Sequence, residues 1–160
     1  MPWYQNLLLS VMSHSLPWMT FTGEGLEIKP SDNIEMLRAL GRDPLVIKET
    51  RVDTIYGLVN LMDAALNGSN GLRAKTLLLY GELDEIVPRQ PTLKMIGELP
   101  SVPSQLHRVS LYSDGYHMLL RDLQAETVWR DIIAWIQDPD GPLPSGGDIY
   151  GKEWIQSYHE

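Results

Sequence analysis

Asp84 and His117 are the residues of this chain whose types and positions best fit catalytic chemistry. Asp84 lies four residues after the apolar run TLLLY (76–80), and His117 lies five residues after LHRVSLY (106–112). Both runs are typical of strands, and in open parallel sheets reactive groups gather beyond the carboxyl ends of the strands. A carboxylate there can accept a hydrogen bond from a histidine ring, fix its tautomer and stabilise the imidazolium. The two loops are therefore predicted to lie side by side and to form an acid–base pair.

Each residue also has an ordinary structural explanation. An aspartate ahead of a proline, as Asp84 is ahead of Pro88, is most often a turn or helix-capping residue. A histidine in the position of His117 is more often a packed or capping residue, and the neighbouring Glu82 and Glu85 are predicted to be solvated loop charges. The occurrence of the acid and the histidine at two successive strand ends, each in a loop that contains glycine, favours the functional interpretation.

Such a pair needs a nucleophile to activate, and no serine of this sequence has the required setting. The nucleophile elbow G-x-S-x-G places its serine on a cramped strand-to-helix turn where only small neighbours fit. NGSNG (67–71) has Asn67 in the place of the first glycine and follows a helix, whereas LPSGG (143–147) has Leu143 there and follows the histidine. In the triad order that runs acid then histidine, the serine comes first. The sequence therefore predicts that the nucleophile is absent from this chain.

Composition argues against several other functions. The 160 residues suffice for one domain, and 43% apolar with 21% charged residues is ordinary for a soluble globular protein. The net charge of −8 argues against nucleic acid or an anionic bilayer as the main partner. Without cysteine, disulfides and thiolate zinc sites are excluded, and a cytoplasmic location is predicted. The four histidines lack the spacing of a zinc motif, so we predict neither a metal nor a cofactor.

The first seventy residues are predicted to contain helices and no strands, with TFTGEGLEIKP (20–30) irregular. The N-terminal stretch MPWYQNLLLSVMSHSLPW has no basic segment and an interrupted apolar run, so it predicts an amphipathic helix and neither a membrane span nor a signal peptide. SDNIEMLRALG (31–41) predicts a short helix capped by Ser31 or Asp32. RVDTIYGLVNLMDAALNG (51–68) predicts a longer one.

From Lys75 onward the pattern becomes strand, helix, strand, helix. The strands are TLLLY and LHRVSLY, and the helices are PTLKMIGEL (91–99) and RDLQAETVWRDIIAWIQ (121–137). The last helix places six apolar residues on one face: Ala125, Val128, Trp129, Ile132, Ile133 and Ile136. We therefore divide the chain into a helical region (1–73), an α/β region with a parallel sheet (74–138) and a turn-rich tail (139–160). Two strands are too few for a doubly wound sheet, so the chain is predicted to be part of a larger architecture.

Three segments together resemble a known family: LLLYGELDEIVP (77–88), YSDGYHMLLRD (112–122) and VWRDIIAWI (128–136). They are similar to the closing segments of α/β-hydrolases of the monoacylglycerol lipase and lysophospholipase type, also described as serine aminopeptidase-like hydrolases. The resemblance implies that Asp84, in G-x-x-D-x-x-x-P, is the triad acid and that His117, in G-x-H, is the triad base. Residues 31–65 resemble that family's helical cap, and the whole resemblance covers about residues 1 to 137.

The resemblance implies the C-terminal half of an α/β-hydrolase fold, incomplete at its N-terminus. The family's oxyanion-hole loop, elbow serine and most of its sheet would lie upstream of Met1. The implied reaction is hydrolysis of acyl esters such as monoacylglycerols or lysophospholipids, with His117 as base then acid and Asp84 orienting it. The expected partner is a small acyl-ester or lipid substrate, without stable membrane insertion, and the chain alone is expected to be inactive. An unpaired, apolar sheet edge also predicts self-association.

Two alternatives stay open at this point. Without a serine, the chain could be a non-catalytic remnant or an interaction module that kept the second half of the fold. Dehalogenases and epoxide hydrolases use an aspartate nucleophile with a similar histidine, and only the likeness of the cap to the lipase type argues against them.

Overall fold

The structure is a computed structural model that describes residues 3–23, 25–100 and 106–159. The helices in these residues are α1 (Trp3–Ser15), α2 (Ile34–Arg42), α3 (Val52–Gly68), α4 (Arg89–Glu98), α5 (Ala125–Gln137) and α6 (Gly147–His159). The strands are β1 (Thr20–Thr22), β2 (Glu49–Arg51), β3 (Thr76–Gly81) and β4 (His107–Tyr112). The chain forms two compact units, Met1–Glu27 with Leu40–Gly68, and Ile28–Ala39 with Ser69–Glu160.

In the first unit, α1 packs against α3, and β1 pairs with β2 in antiparallel fashion. Val52, at the start of α3, is fully buried, and its N–H donates to the carbonyl of Met19 at 2.8 Å. The prediction of helices alone was wrong here, because strands of three residues are too short to show an alternating pattern. None of the described helices is long and apolar enough to cross a bilayer.

The start of α2 differs from the predicted cap. Asn33 caps the helix, since the N–H of Met36 donates to its Oδ1 at 3.1 Å. Ser31 instead donates to the carboxylate of Asp122 at 2.6 Å, and Asp32 accepts from the N–H of Leu123 at 2.8 Å. Both predicted caps are therefore used in long-range contacts, which a local sequence pattern does not reveal.

The second unit is built on the predicted parallel pair of strands. Thr76 of β3 lies opposite His107 of β4, and Gly81 lies opposite Tyr112. Helix α4 forms part of the connection between them. The buried core consists of Tyr80, Leu93, Leu111 and Trp154, so it joins both strands, α4 and α6.

Residues 147–159 of the predicted tail are helical, so the description of 139–160 as only turn-rich was wrong. Helix α6 packs on β4, and Trp154 is 5% exposed. A Cβ on Gly151 would lie 2.6 Å from the carbonyl oxygen of Val109, so glycine lets the helix backbone lie directly against the strand. Glycines lower helix propensity, which explains why the sequence pattern missed this element.

Helix α5 is present, but it buries less apolar surface than its sequence predicted. Ala125 and Val128 are buried, whereas Trp129, Ile133 and Ile136 are 49%, 54% and 67% exposed. Asp131 lies on the buried side of α5. Its side chain accepts hydrogen bonds from Tyr112 Oη at 2.8 Å and from the N–H of Ser145 at 2.9 Å. A fully buried aspartate is compatible with this position because its oxygens are satisfied.

Candidate active site

Asp84 and His117 are hydrogen-bonded to each other at the carboxyl ends of β3 and β4. Asp84 Oδ2 lies 2.9 Å from His117 Nδ1, within the 2.6–3.2 Å that an acid–base pair requires. The carboxylate is 7% exposed and the histidine side chain is 39% exposed. The acid is thus shielded while the ring remains accessible, and the predicted neighbourhood of the two loops is observed.

The second oxygen of Asp84 organises its own loop. Oδ1 accepts from the N–H groups of Ile86 and Val87, at 2.8 and 2.9 Å. The ordinary explanation of Asp84 as a turn residue is therefore also correct, since one oxygen stabilises the turn and the other binds the histidine. A carboxylate held by two backbone donors has a fixed direction, so it presents Oδ2 to the ring in a defined geometry.

The acid and histidine loops are joined through their main chains. The N–H of Leu83 donates to the carbonyl of Gly115 at 2.9 Å, and the N–H of Glu82 donates to that of Tyr112 at 3.0 Å. These bonds continue the contact of β3 and β4 beyond the strand ends. They hold the acid loop and the histidine loop next to each other through the main chain.

Glu82 and Glu85 have specific partners, which the description as solvated loop charges did not include. Tyr150 of α6 donates to Glu82 Oε2 at 3.0 Å, and this hydrogen bond to a carboxylate raises the pKa of the tyrosine. Glu85 Oε2 accepts from the N–H of Lys29 at 2.8 Å. Both acids therefore connect the acid loop to other parts of the same compact unit.

Lys29 extends these contacts to the residue before the histidine. Its Nζ donates to Tyr116 Oη at 2.9 Å and lies 4.5 Å from the centroid of that ring. The hydrogen bond from the ammonium to Tyr116 raises the pKa of Lys29. Segment 28–33 thus contacts both the acid loop and the histidine loop.

A cavity of about 270 Å3 adjoins the pair. Asp84 and His117 contribute to its wall, and most of the remaining lining is apolar. The other lining residues are Leu78, Leu79, Tyr80, Gly81, Val87, Thr92, Met95, Ile96, Val109, Tyr116 and Leu119. Such a cavity provides an apolar surface next to a group that can move a proton.

The geometry determines what the histidine can do chemically. A carboxylate oxygen accepts hydrogen bonds, so the contact with Asp84 places the ring proton on His117 Nδ1. Nε2 is then the basic nitrogen, and it can take a proton from a hydroxyl and return it to a leaving group. The arrangement can therefore act as a general base whose ring is oriented by a carboxylate.

The serines with elbow-like neighbours occupy structural positions. Ser69 lies in a short 3-10 turn, Ser69–Gly71, directly after α3, and its Oγ lies 3.5 Å from Glu98 Oε2. Ser145 contacts the buried Asp131 through both its N–H and its hydroxyl. Neither is on a strand-to-helix turn of the kind that a nucleophile elbow needs. Within the described ranges, no three His, Asp or Glu side chains lie close enough to hold a metal ion.

Asp122 is a buried carboxylate of the histidine loop that was not identified from the sequence. It is 6% exposed and accepts from the N–H of Tyr116 at 2.8 Å. The sequence shows only an acid five residues after His117, followed by an apolar residue. No periodic pattern marks such a position, because its burial depends on a partner from segment 28–33.

Comparisons with known proteins identify the family and the fold of the chain. Residues 1–124 match the model of the family described as serine aminopeptidase, S33. A monoacylglycerol lipase of Paleococcus ferrophilus superimposes with a TM-score of 0.71 at 22% identity, over 85% of this chain and 52% of the lipase. A soluble variant of the Saccharomyces cerevisiae monoglyceride lipase, in complex with a substrate analogue, superimposes with a TM-score of 0.64 at 17% identity. The superposition covers 84% of this chain and 49% of that lipase. No curated protein sequence matches the chain.

These superpositions establish the fold. The chain spans about half the length of the two lipases and has the α/β-hydrolase fold over that part, as predicted. At these identities they show architecture alone, so the chemistry rests on the residues of this chain.

Proposed function

This chain belongs to the serine aminopeptidase (S33) family of hydrolases, and we propose that it supplies the acid and the base of an acyl-ester hydrolase. In this proposal Asp84 is the orienting acid and His117 is the general base. The nucleophilic serine comes from a segment outside the 160 residues. The proposed substrates are monoacylglycerols, lysophospholipids or similar acyl esters.

One observation carries the proposal, namely the 2.9 Å contact of Asp84 Oδ2 with His117 Nδ1 at two adjacent strand ends. In the proposed reaction His117 Nε2 takes the serine proton as the serine oxygen attacks the ester carbonyl. The ring then gives this proton to the departing alcohol, which leaves an acyl-serine. Water attacks the acyl-serine while His117 again takes a proton and returns it to the serine, so the acid is released and the enzyme is regenerated. Asp84 stays ionised and stabilises the imidazolium in both halves.

Two further observations support an acyl ester as the substrate. The cavity beside the pair is lined mainly by apolar side chains, which suits an acyl chain better than a charged group. The two superimposed structures are named as a monoacylglycerol lipase and a monoglyceride lipase. The chain's net charge of −8 is compatible with a neutral ester as ligand.

The test has two parts. The chain as it stands is treated with a fluorophosphonate probe, and we expect no labelled serine. A polypeptide in which a family segment with the G-x-S-x-G elbow precedes the chain is then assayed with a monoacylglycerol. In that polypeptide H117Q is expected to lower kcat at least a thousandfold, on the order of what loss of a triad member causes. H14Q, which changes an exposed histidine of the other compact unit, serves as the control.

Two results would contradict the proposal. One is stoichiometric labelling of a serine in the chain alone, because it would place the nucleophile within these residues. The other is ester hydrolysis that H117Q and H14Q reduce equally, because His117 would then not be the base.

A further inference from the structure

Asp122 connects the histidine loop to segment 28–33 through a buried carboxylate. Oδ1 accepts from Ser31 Oγ at 2.6 Å, and Oδ2 accepts from the N–H of Tyr116 at 2.8 Å. Ser31 is fully buried and Asp122 is 6% exposed. A carboxylate out of contact with water is destabilising unless its oxygens are hydrogen-bonded, so these two contacts are required for Asp122 to occupy this position.

The contacts hold two peptide groups near His117: the one that directly follows it, and the one between Gly115 and Tyr116. The N–H of Tyr116, one residue before the histidine, donates to Asp122. The N–H of Met118, one residue after it, donates to the carbonyl of Pro30 at 3.0 Å. With these two amides bonded to fixed partners, the short segment that contains His117 has little backbone freedom. Segment 28–33 therefore helps to orient the ring of His117 toward Asp84.

Ser31 in turn orients Asp122. Its hydroxyl accepts from the N–H of Asn33 at 3.1 Å and so directs its own proton to Asp122 Oδ1. The N–H of Asp122 also donates to the carbonyl of Met118 at 3.0 Å, which closes the turn that directly follows the histidine. The result is a continuous hydrogen-bonded path from Asn33 through Ser31 and Asp122 to Tyr116.

We propose that Asp122 is a positioning residue for His117 and that Ser31 orients it. Asp122 acts on the ring through the main chain of Tyr116, so that Nδ1 meets Asp84 and Nε2 faces the cavity. The consequence for catalysis rests on the proposed function of the pair. The effect on the ring is measurable in the chain itself, without turnover.

The readout is the tautomer of His117 in a chain with nitrogen-labelled histidine, measured by nuclear magnetic resonance. H117Q identifies the signals, and D84N shows the spectrum of the ring without its carboxylate partner. In the unaltered chain we expect the proton on Nδ1. In D122A we expect loss of that Nδ1–H signal in favour of Nε2–H, the form that imidazole adopts in water. The amide of Tyr116 is expected to exchange with solvent at least about tenfold faster, since its acceptor is removed.

Three further variants separate positioning from general damage. D122N keeps an oxygen for Tyr116 and can donate to Ser31, so the Nδ1–H tautomer should be retained. S31A removes the bond to Oδ1 and the acceptor of the Asn33 N–H but leaves Oδ2 for Tyr116, so it should accelerate Tyr116 exchange less than D122A does. It provides the test if D122A does not fold. D114A removes an exposed carboxylate of the same loop and should leave both readouts unchanged.

An unchanged His117 tautomer in folded D122A, whatever the Tyr116 exchange rate, would overturn the inference. Where D122A does not fold, unchanged Tyr116 exchange in S31A would overturn it. This failure is distinct from failure of the proposed function. If D122A shifts the tautomer while H117Q leaves ester hydrolysis intact in the serine-bearing polypeptide, positioning stands and the catalytic assignment falls. If H117Q abolishes hydrolysis while D122A leaves the ring unchanged, the catalytic assignment stands and positioning falls.

Discussion

Gly81 and Gly115 lie in main-chain contact where the acid and histidine loops meet. A Cβ on Gly115 would lie 3.1 Å from Gly81 Cα, and one on Gly81 would lie 2.5 Å from the carbonyl carbon of Gly115. The neighbouring bond from the N–H of Leu83 to Gly115 depends on this close approach. Glycine is thus needed at both positions because a side chain would push the two loops apart.

We expect G81A to separate the loops and to destabilise the second unit by about 1–3 kcal/mol, the usual effect of inserting a methyl group into a packed site. The free energy of unfolding in urea measures this change. The matched control is G97A in α4, where a Cβ would meet nothing within 4 Å. That variant should be stabilised by about 0.5–1 kcal/mol, since alanine is the better helix former. Equal effects of the two substitutions would contradict the steric explanation.

Because the two oxygens of Asp84 have different partners, we expect D84A and D84N to differ in stability. D84A leaves the N–H groups of Ile86 and Val87 without their acceptor, and we expect a loss of about 1–3 kcal/mol in the free energy of unfolding. D84N keeps an acceptor for these groups and should lose less, while its amide turns a donor toward His117. Urea denaturation gives the stabilities, and D114A controls for the removal of an exposed acid. A loss in D84N as large as that in D84A would show that the turn role has been misjudged.

Tyr112 predicts a loss of stability at alkaline pH. Burial, with a contribution from the hydrogen bond to Asp131, raises the pKa of Tyr112 well above its usual value of 10. The folded state therefore holds this proton more tightly than the unfolded state does. The stabilisation is complete below about pH 10 and is lost progressively as the pH rises from there toward the higher folded-state pKa.

Denaturation of the unaltered chain and of Y112F, over a pH series, measures how much Tyr112 contributes to the alkaline loss of stability. Y112F should be less stable at neutral pH, since Asp131 loses a donor, and its stability should fall less steeply above pH 10. Parallel curves for the two proteins would mean that Tyr112 does not contribute to the alkaline loss.

The C-terminal helix is predicted to be essential for the second unit. Trp154 packs against Tyr80 with ring centroids 5.6 Å apart, and the guanidinium of Arg89 lies 4.8 Å above the indole. We expect W154A to cost about 3–5 kcal/mol, as for other buried aromatic residues. I149A in the same helix changes a side chain that is 62% exposed and should cost less than about 0.5 kcal/mol. The prediction fails if both variants unfold at the same urea concentration as the unaltered chain.

The exposed apolar residues of α5 predict self-association of the chain. Ile133 and Ile136 are 54% and 67% exposed, and clustered apolar side chains in water favour contact between molecules. We expect the double substitution I133K and I136E to increase the monomer fraction in analytical ultracentrifugation and to change the unfolding free energy by less than about 0.5 kcal/mol. D114A is a charge-changing control for this measurement. Association that is unaffected by the double substitution would place the contact elsewhere.

Local sequence patterns were sufficient to predict both strands of the second unit and the approach of their loops. TLLLY was predicted as a strand because a short, continuous apolar run bounded by glycine is typical of a buried strand. LHRVSLY was predicted as a second strand, and both are strands. Since parallel strands bring their carboxyl ends to one edge, the approach of Asp84 and His117 followed from the same pattern. The resemblance to serine aminopeptidase-like hydrolases was confirmed by the family match.

Only the tertiary structure decided the features that depend on partners distant in sequence. Ser31 was predicted to cap a helix and instead donates a hydrogen bond to Asp122, because the fold places this buried carboxylate within reach of its hydroxyl. Helix α6 was missed because its stability comes from packing Trp154 on Tyr80, and its glycines weaken the local helix signal. Residue types and spacing determined which groups of this chain can exchange a proton, since these are properties of the local chain. The positions of Asp122 and α6 required three-dimensional contacts, since burial and hydrogen-bond partners are not encoded in any short segment.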